Sequence, residues 1–200
     1  MRNPGGRRNE ILKAALECFL ARGFEGTTVA AIRARSGAST GSIYHVFPSK
    51  DAIAAALYLE ILKQYQGELL RELQRHHTAK EGIEALVRFH LEWSQEHADE
   101  TRFLVVAREA SQVVAAETNI VEQNRKFFGE VLEWLQPHIR QGAVEAMPFA
   151  LFFSVILGPA QELLREWLAG RTKVDMRAAI PILAAAAWRA VEKRPAPPPK

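Results

Sequence analysis

The sequence predicts an all-α chain in two parts, a compact N-terminal three-helix domain and a larger C-terminal helical domain, with about nine helices in all. Three observations carry that expectation. Apolar side chains recur at three- and four-residue spacing from Ile11 to Trp188, the period of helices that bury one face. Two short segments on either side of Gly37 make a tight helix-to-helix corner. A run over 51–76 is rich in Ala and Leu and free of proline; at about 1.5 Å per residue it is long enough to leave one domain and enter the next. The 200 residues, 48% hydrophobic and 24% charged, suffice for a proper core and have the balance of an ordinary soluble protein.

Residues 1–8 contain Gly5-Gly6 and Arg7-Arg8 and read as a disordered basic arm, either lying along a phosphate backbone or minor groove or forming a plain terminal tail. Over 9–21, Ile11, Ala15 and Phe19 with Leu12, Leu16 and Leu20 form a broad apolar stripe; Gly23 ends that helix and Phe24 plugs the small core. Thr27 or Thr28 caps the next helix, and either hydroxyl is equally a phosphate contact. Val29 and Ile32 then face inward. Gly37 allows the positive φ of a sharp corner, and Ser39 caps a third helix whose Ile43 and Phe47 point inward. That leaves Thr40, Gly41, Ser42, Tyr44 and His45 outward, all short or flat groups able to meet base edges or phosphates. Phe47 precedes Pro48 and so must leave the helix; Ser49 caps the next segment with Lys50 in its first turn, where an ammonium beside free backbone N–H groups suits an anion better than it suits the helix. Arg33 and Arg35 lie about 200° apart on one helix and cannot share a face. Arg33 is a phosphate or base contact, or a solvated or ion-paired arginine.

Charge follows the same division. Residues 1–50 hold eight basic against three acidic side chains, a net +5, whereas the remaining residues sum to −2, so a polyanion would meet the first quarter of the chain. The run GASTGSIYHVFPSK at 37–50 resembles the recognition segment of the tetracycline-repressor-like (TetR) family, with its small-residue turn, Tyr44, Phe47 and Ser49-Lys50 in register. Gly26-Thr-Thr-Val and Ile32 also fit, and the resemblance covers roughly residues 7–57. Arg33 departs from it, since the family often has a small residue there. The resemblance implies a dimer that reads a palindromic operator on double-stranded DNA. It also implies a C-terminal domain that binds a small molecule, a four-helix interface made by the last two helices of each chain, and a linking helix that shifts when ligand binds. On these grounds the DNA-binding candidates are Thr27, Thr28, Arg33, Ser39, Thr40, Gly41, Ser42, Tyr44, His45 and Lys50.

Beyond the linking segment, 77–193 reads as the ligand-binding and dimerisation domain. A helix over 81–97 is apolar around most of its circumference, Asp99 caps a segment holding Phe103, and Arg108 and Glu109 are charges among apolar neighbours. Another helix over 117–139 carries Asn124 on its apolar stripe, as a hydrogen-bonded core amide or a ligand contact. The aromatic supply suits an apolar pocket with a few polar pins, giving Phe89, His90, Trp93, Phe103, Asn124, Phe127, Phe128 and Trp134 as ligand candidates. His90 is a satisfied core histidine or a ligand contact. The apolar window over 146–160 is broken by Pro148 and Gly158-Pro159 and falls short of a membrane span, so it is expected to be buried in protein. Asp175 begins a last helix with four successive alanines, small enough for another helix to approach closely. Phe152, Ile156, Leu163, Trp167, Ile182, Ala185, Ala186 and Trp188 are the expected homodimer interface, and 194–200 an extended Pro-rich tail.

Catalysis has nothing to stand on: no phosphate loop, zinc spacing or nucleophile elbow occurs, the six histidines are scattered, and no cofactor or metal is expected. Cys18 excludes an intramolecular disulfide and reads as a core residue. The basic start leads into an amphipathic helix rather than a secretory signal, so the cytoplasm is the expected compartment. The expected function is a sequence-specific transcriptional regulator, a repressor released from its operator by a small, mainly apolar effector. The alternative is an interaction module placed on DNA, whose helical domain binds a protein partner and no small molecule.

Overall fold

The computed structural model describes residues 4–107 and 117–193. Among them run nine helices: α1 Pro4–Gly26, α2 Val29–Ser36, α3 Thr40–Val46, α4 Lys50–Leu73, α5 Ala79–Glu96, α6 Ala98–Ala107, α7 Glu117–Arg140, α8 Phe149–Leu168 and α9 Met176–Val191. The chain divides into two compact units, one of Met1–Gln64 and His97–Gln123, the other of Tyr65–Glu96 and Asn124–Lys200. Helices α4 and α7 each contribute to both.

In the first unit α1 packs on α2 and α6, and α2 on α3. The expected stripe of Ile11, Leu12, Ala15 and Phe19 is buried with Ile32, Ile43, Phe47, Ile53 and Leu57. Gly23, at φ 70° and ψ 176°, breaks the helical backbone where the sequence places the end of the first helix, and a short helical run resumes to Gly26. Two expectations are corrected here. The first helix begins at Pro4 rather than at residue 9, so residues 4–8 are not an arm: Arg7 pairs with Glu10 at 2.8 Å, while Arg8 pairs with Glu60 at 2.8 Å and lies 5.9 Å from the centre of the Phe47 ring. Secondly, the expected boundary at 76 does not separate the units. Phe103 of α6 is 1% exposed and sets its ring 5.9 Å from Phe19 and 5.7 Å from Phe24, which binds α6 to α1. Phe103 is therefore core of the first unit and not a ligand contact.

The second unit is built on α9 packing against α5 and α8, with α5 also on α8. Its core includes Leu69, Ile83, Leu86, Val87, Leu91, Val131, Leu135, Leu157, Leu164 and Ile180. Each such side chain contributes about 1.5–3 kcal/mol of apolar burial. Gly82, inside α5, is buried against Trp134: a Cβ there would collide with the ring carbons of that indole, whose Nε1 donates to the His76 carbonyl at 3.2 Å. Trp134 is thus a structural wedge rather than the ligand contact expected of it. Asp175 caps α9 as predicted, accepting from the Arg177 amide at 2.9 Å; Asp99 lies one residue inside α6, in its first turn. The segment after α7 is pinned to the end of α9, with Glu145 N–H donating to Val191 C=O at 2.8 Å and Lys193 N–H to Ala143 C=O at 3.1 Å.

Phe152 and Ile156, expected at a dimer interface, are each 2% exposed and belong to this core. Helix α8 is apolar around so much of its surface that composition does not distinguish its inner from its outer face. Leu163, Trp167, Ala185, Ala186 and Trp188 are half-buried, and Ile182 is 66% exposed. The charges at Arg108 and Glu109 and the tail over 194–200 lie outside the described residues. Among the described residues no helix is long and apolar enough to cross a membrane, and no group of three or more His, Cys, Asp or Glu side chains could hold a metal ion.

Candidate nucleic-acid interface and buried polar cluster

The corner at 37–39 is made by local chemistry. Gly37 takes φ 65°, a left-handed conformation that glycine adopts without steric cost, and its N–H bonds to the Arg33 carbonyl. The Ser39 hydroxyl then accepts from the Ser42 amide at 3.1 Å and starts α3. At the other end Phe47 is extended ahead of Pro48, and the Ser49 hydroxyl accepts from Ala52 N–H at 3.0 Å to start α4. Ile43 and Phe47 are buried, so the orientation of α3 is fixed. Ser39, Thr40, Gly41, Tyr44 and His45 are exposed, Tyr44 by 52%, and Ser42 is half-buried.

The four flanking candidates divide. Thr28 is the N-cap of α2, its hydroxyl accepting from Ala31 N–H at 3.1 Å, and is exposed beside the free amides of that helix start. Thr27 is corrected: 1% exposed, it donates toward the Cys18 and Gly23 carbonyls at 3.0 and 2.7 Å, a clasp on the end of α1 with no path to a phosphate. Lys50 is half-buried and its Nζ already donates to the Phe24 carbonyl at 2.6 Å, so it presents only its remaining donors outward. Arg33 is exposed, whereas Arg35 pairs with Glu17, whose carboxylate raises the guanidinium's proton affinity. Sequence reasoning missed the engagement of Arg8 with Phe47 and Glu60, because nothing local announces partners 39 and 52 positions away.

In the second unit the expected ligand residues fall into separate groups. Phe127 and Phe128 join Phe149 and Phe153 in one aromatic cluster, with Phe127 5.3 Å from Phe128 and Phe128 5.2 Å from Phe153. Phe89, His90 and Trp93 gather around Tyr65 of α4, which the sequence did not single out. The Tyr65 hydroxyl and His90 Nδ1 are 2.8 Å apart, and the indole Nε1 of Trp93 donates to Glu68 at 3.0 Å. Asn124 is drawn into a structural bond, its Oδ1 accepting from Gln66 Nε2 at 2.8 Å. His90 departs from both of its sequence readings in one respect: Nδ1 is satisfied, but Nε2 is buried and has no hydrogen-bond partner among the described residues. Burial lowers the His90 pKa to about 4 and raises that of Tyr65, so both are neutral near pH 7.

A capped helix-turn-helix with a short-chained outward face, on an all-helical chain, is the architecture of a DNA-binding regulator. Residues 11–57 match the profile of the bacterial regulatory proteins of the tetR family. By that segment, which runs from α1 through the helix-turn-helix into the start of α4, the chain is similar to the regulators of that family. It is 24% identical over 169 residues, 84% of this chain and 86% of the relative, to the fatty acid metabolism regulator protein of Bacillus subtilis (strain 168). Over 57 residues, 28% of this chain and 30% of the relative, it is 40% identical to the HTH-type transcriptional repressor AcnR of Corynebacterium efficiens. The fold matches that of the transcriptional regulator FadR from Bacillus subtilis, solved in complex with stearoyl-CoA, with a TM-score of 0.74, 21% identity and coverage of 89% of this chain and 96% of that one.

Proposed function

We propose that two copies of this chain bind a palindromic operator through α3 and repress transcription until a small, mainly apolar effector enters the helical unit. The observation that carries the reading is the outward face of α3, where Thr40, Gly41, Tyr44 and His45 are exposed while Ile43 and Phe47 hold the helix from behind. One such short helix offers few base contacts, and a two-fold dimer doubles them across half-sites about 34–36 Å apart. Thr40 and Ser42 read base edges in this scheme. Tyr44, the remaining donors of Lys50, the capped start of α2 at Thr28 and the exposed Arg33 meet phosphates.

The outer face of α8 and α9, with Leu151, Ala185, Ala186 and the protruding Ile182, is the apposed surface in the dimer. The half-buried Leu163, Trp167 and Trp188 support it from behind. The effector lies against the Tyr65, Phe89, His90 and Trp93 group and acts by binding more tightly to the form that cannot hold the operator; DNA then weakens effector binding by the same factor. A stearoyl-CoA ligand in the neighbouring FadR structure supports an effector of apolar body. Footprinting on DNA flanking the protein's own gene tests the reading. Two symmetric protected patches about one helical turn apart are expected, whereas uniform protection that competitor DNA abolishes would refute sequence-specific repression.

A further inference from the structure

Tyr65 and His90 share one hydrogen bond, and the placement of its proton decides what the rest of the imidazole can do. If the phenol donates to Nδ1, the ring proton sits on Nε2 and a single buried donor lacks a partner. If Nδ1–H donates instead, both the phenol proton and the Nε2 lone pair are left unmet, because Tyr65 makes no other hydrogen bond among the described residues. The first arrangement is the less costly, so Nε2 presents a buried N–H group with no acceptor among the described residues.

The surroundings restrict what can accept from it. The Tyr65 ring lies 5.9 Å from Phe89 and 5.1 Å from Trp93, so the dyad is walled by aromatic carbon. Among the described residues neither Tyr65 nor His90 is paired with a lysine or arginine, and Glu68 already brings a carboxylate to the same cluster through Trp93. The imidazole is itself neutral, since burial holds its pKa at about 4. An anionic head group there would be a buried charge with no counter-ion paired to the dyad among the described residues. We propose that the helical unit binds an apolar ligand carrying one uncharged hydrogen-bond acceptor, the carbonyl of an ester, thioester, ketone or amide, which accepts from Nε2–H of His90.

This rests on the effector reading above and adds the chemical class and the contact atom. The test uses the full-length dimer and three probes of matched chain length: methyl esters from hexanoate to hexadecanoate, the corresponding free carboxylates, and the corresponding alkanes. Binding is read from the shift in thermal midpoint and from the side-chain nitrogen resonances of labelled histidine. The best ester should bind about tenfold more tightly than its alkane, the size of one neutral hydrogen bond, and should shift the His90 Nε2 resonance; the carboxylate should bind more weakly than either. In Tyr65→Phe/His90→Leu, which removes both polar partners together, the ester should lose its advantage over the alkane. Equal binding of ester and alkane, an ester preference that survives in the double variant, or no binding by any ester, which would leave Nε2 to an internal water, each overturns the proposal. An ester that binds and moves the His90 resonance without releasing DNA would instead overturn the effector reading and leave this contact standing.

Discussion

Acidification is the perturbation that tests the buried dyad most directly. In the unfolded chain the His90 imidazole takes up its proton near pH 6.5; in the folded chain burial delays that until about pH 4. Between those values the unfolded state binds more protons, so folding stability rises with pH across the window and is lost as pH falls from 6.5 to 4. At about 1.4 kcal/mol for each tenfold change in proton affinity, the gap corresponds to roughly 3 kcal/mol, a large fraction of an ordinary domain's stability. His138, whose pKa burial also lowers, contributes in the same direction, and Glu72, held below its usual range chiefly by its hydrogen bond from His76, does so at the acid end. Comparison with Tyr65→Phe/His90→Leu isolates the dyad. Urea unfolding at fixed protein concentration should show the parent losing roughly 2–3 kcal/mol more than the double variant between pH 7 and pH 4. Parallel pH profiles for the two proteins would refute both the burial of a neutral imidazole and the tautomer built on it.

Gly82→Ala gains about 1 kcal/mol of helix propensity but drives a methyl group into the Trp134 ring, an overpacking cost of about 1–3 kcal/mol, so thermal unfolding should show net destabilisation that Gly82→Ala/Trp134→Leu partly relieves. Lys50→Ala should have two separable effects: loss of about 1 kcal/mol of stability with the Phe24 hydrogen bond, and a salt dependence of DNA binding shallower by about one unit of log–log slope, whereas Thr40 or Ser42 substitutions should change site preference at about 1–3 kcal/mol per lost contact. An unchanged salt slope for Lys50→Ala would remove it from the phosphate contacts. Ala185→Glu should give folded monomers with weak operator affinity, and sedimentation showing an intact dimer would discard the α8–α9 interface.

What was legible in the sequence was local. Gly37, Ser39, Pro48 and Ser49 fix both ends of α3 through contacts no more than four residues long, and those contacts are present as expected. Thr27 and Thr28 were indistinguishable because adjacent hydroxyls satisfy the same capping pattern, and only the packing of α1 buries one of them. Aromatic residues are legible but not sortable: ring type announces burial without saying in which core, so the sequence does not assign Phe103 to the first unit or single out Tyr65. The orphaned Nε2 of His90 depends on a partner 25 positions away on another helix, and no sequence period encodes that pairing.

The backbone clasp between 143–145 and 191–193 bears on how two copies can meet. It fastens the entry of α8 and the exit of α9 to each other, so the helical hairpin between them behaves as a loop tied at both ends. Exchange of the last helix between neighbours, a common route to interlocked pairs, would first have to undo that knot. In the dimer proposed above, association through this hairpin would then lay two finished surfaces together, with each subunit completing its own fold first.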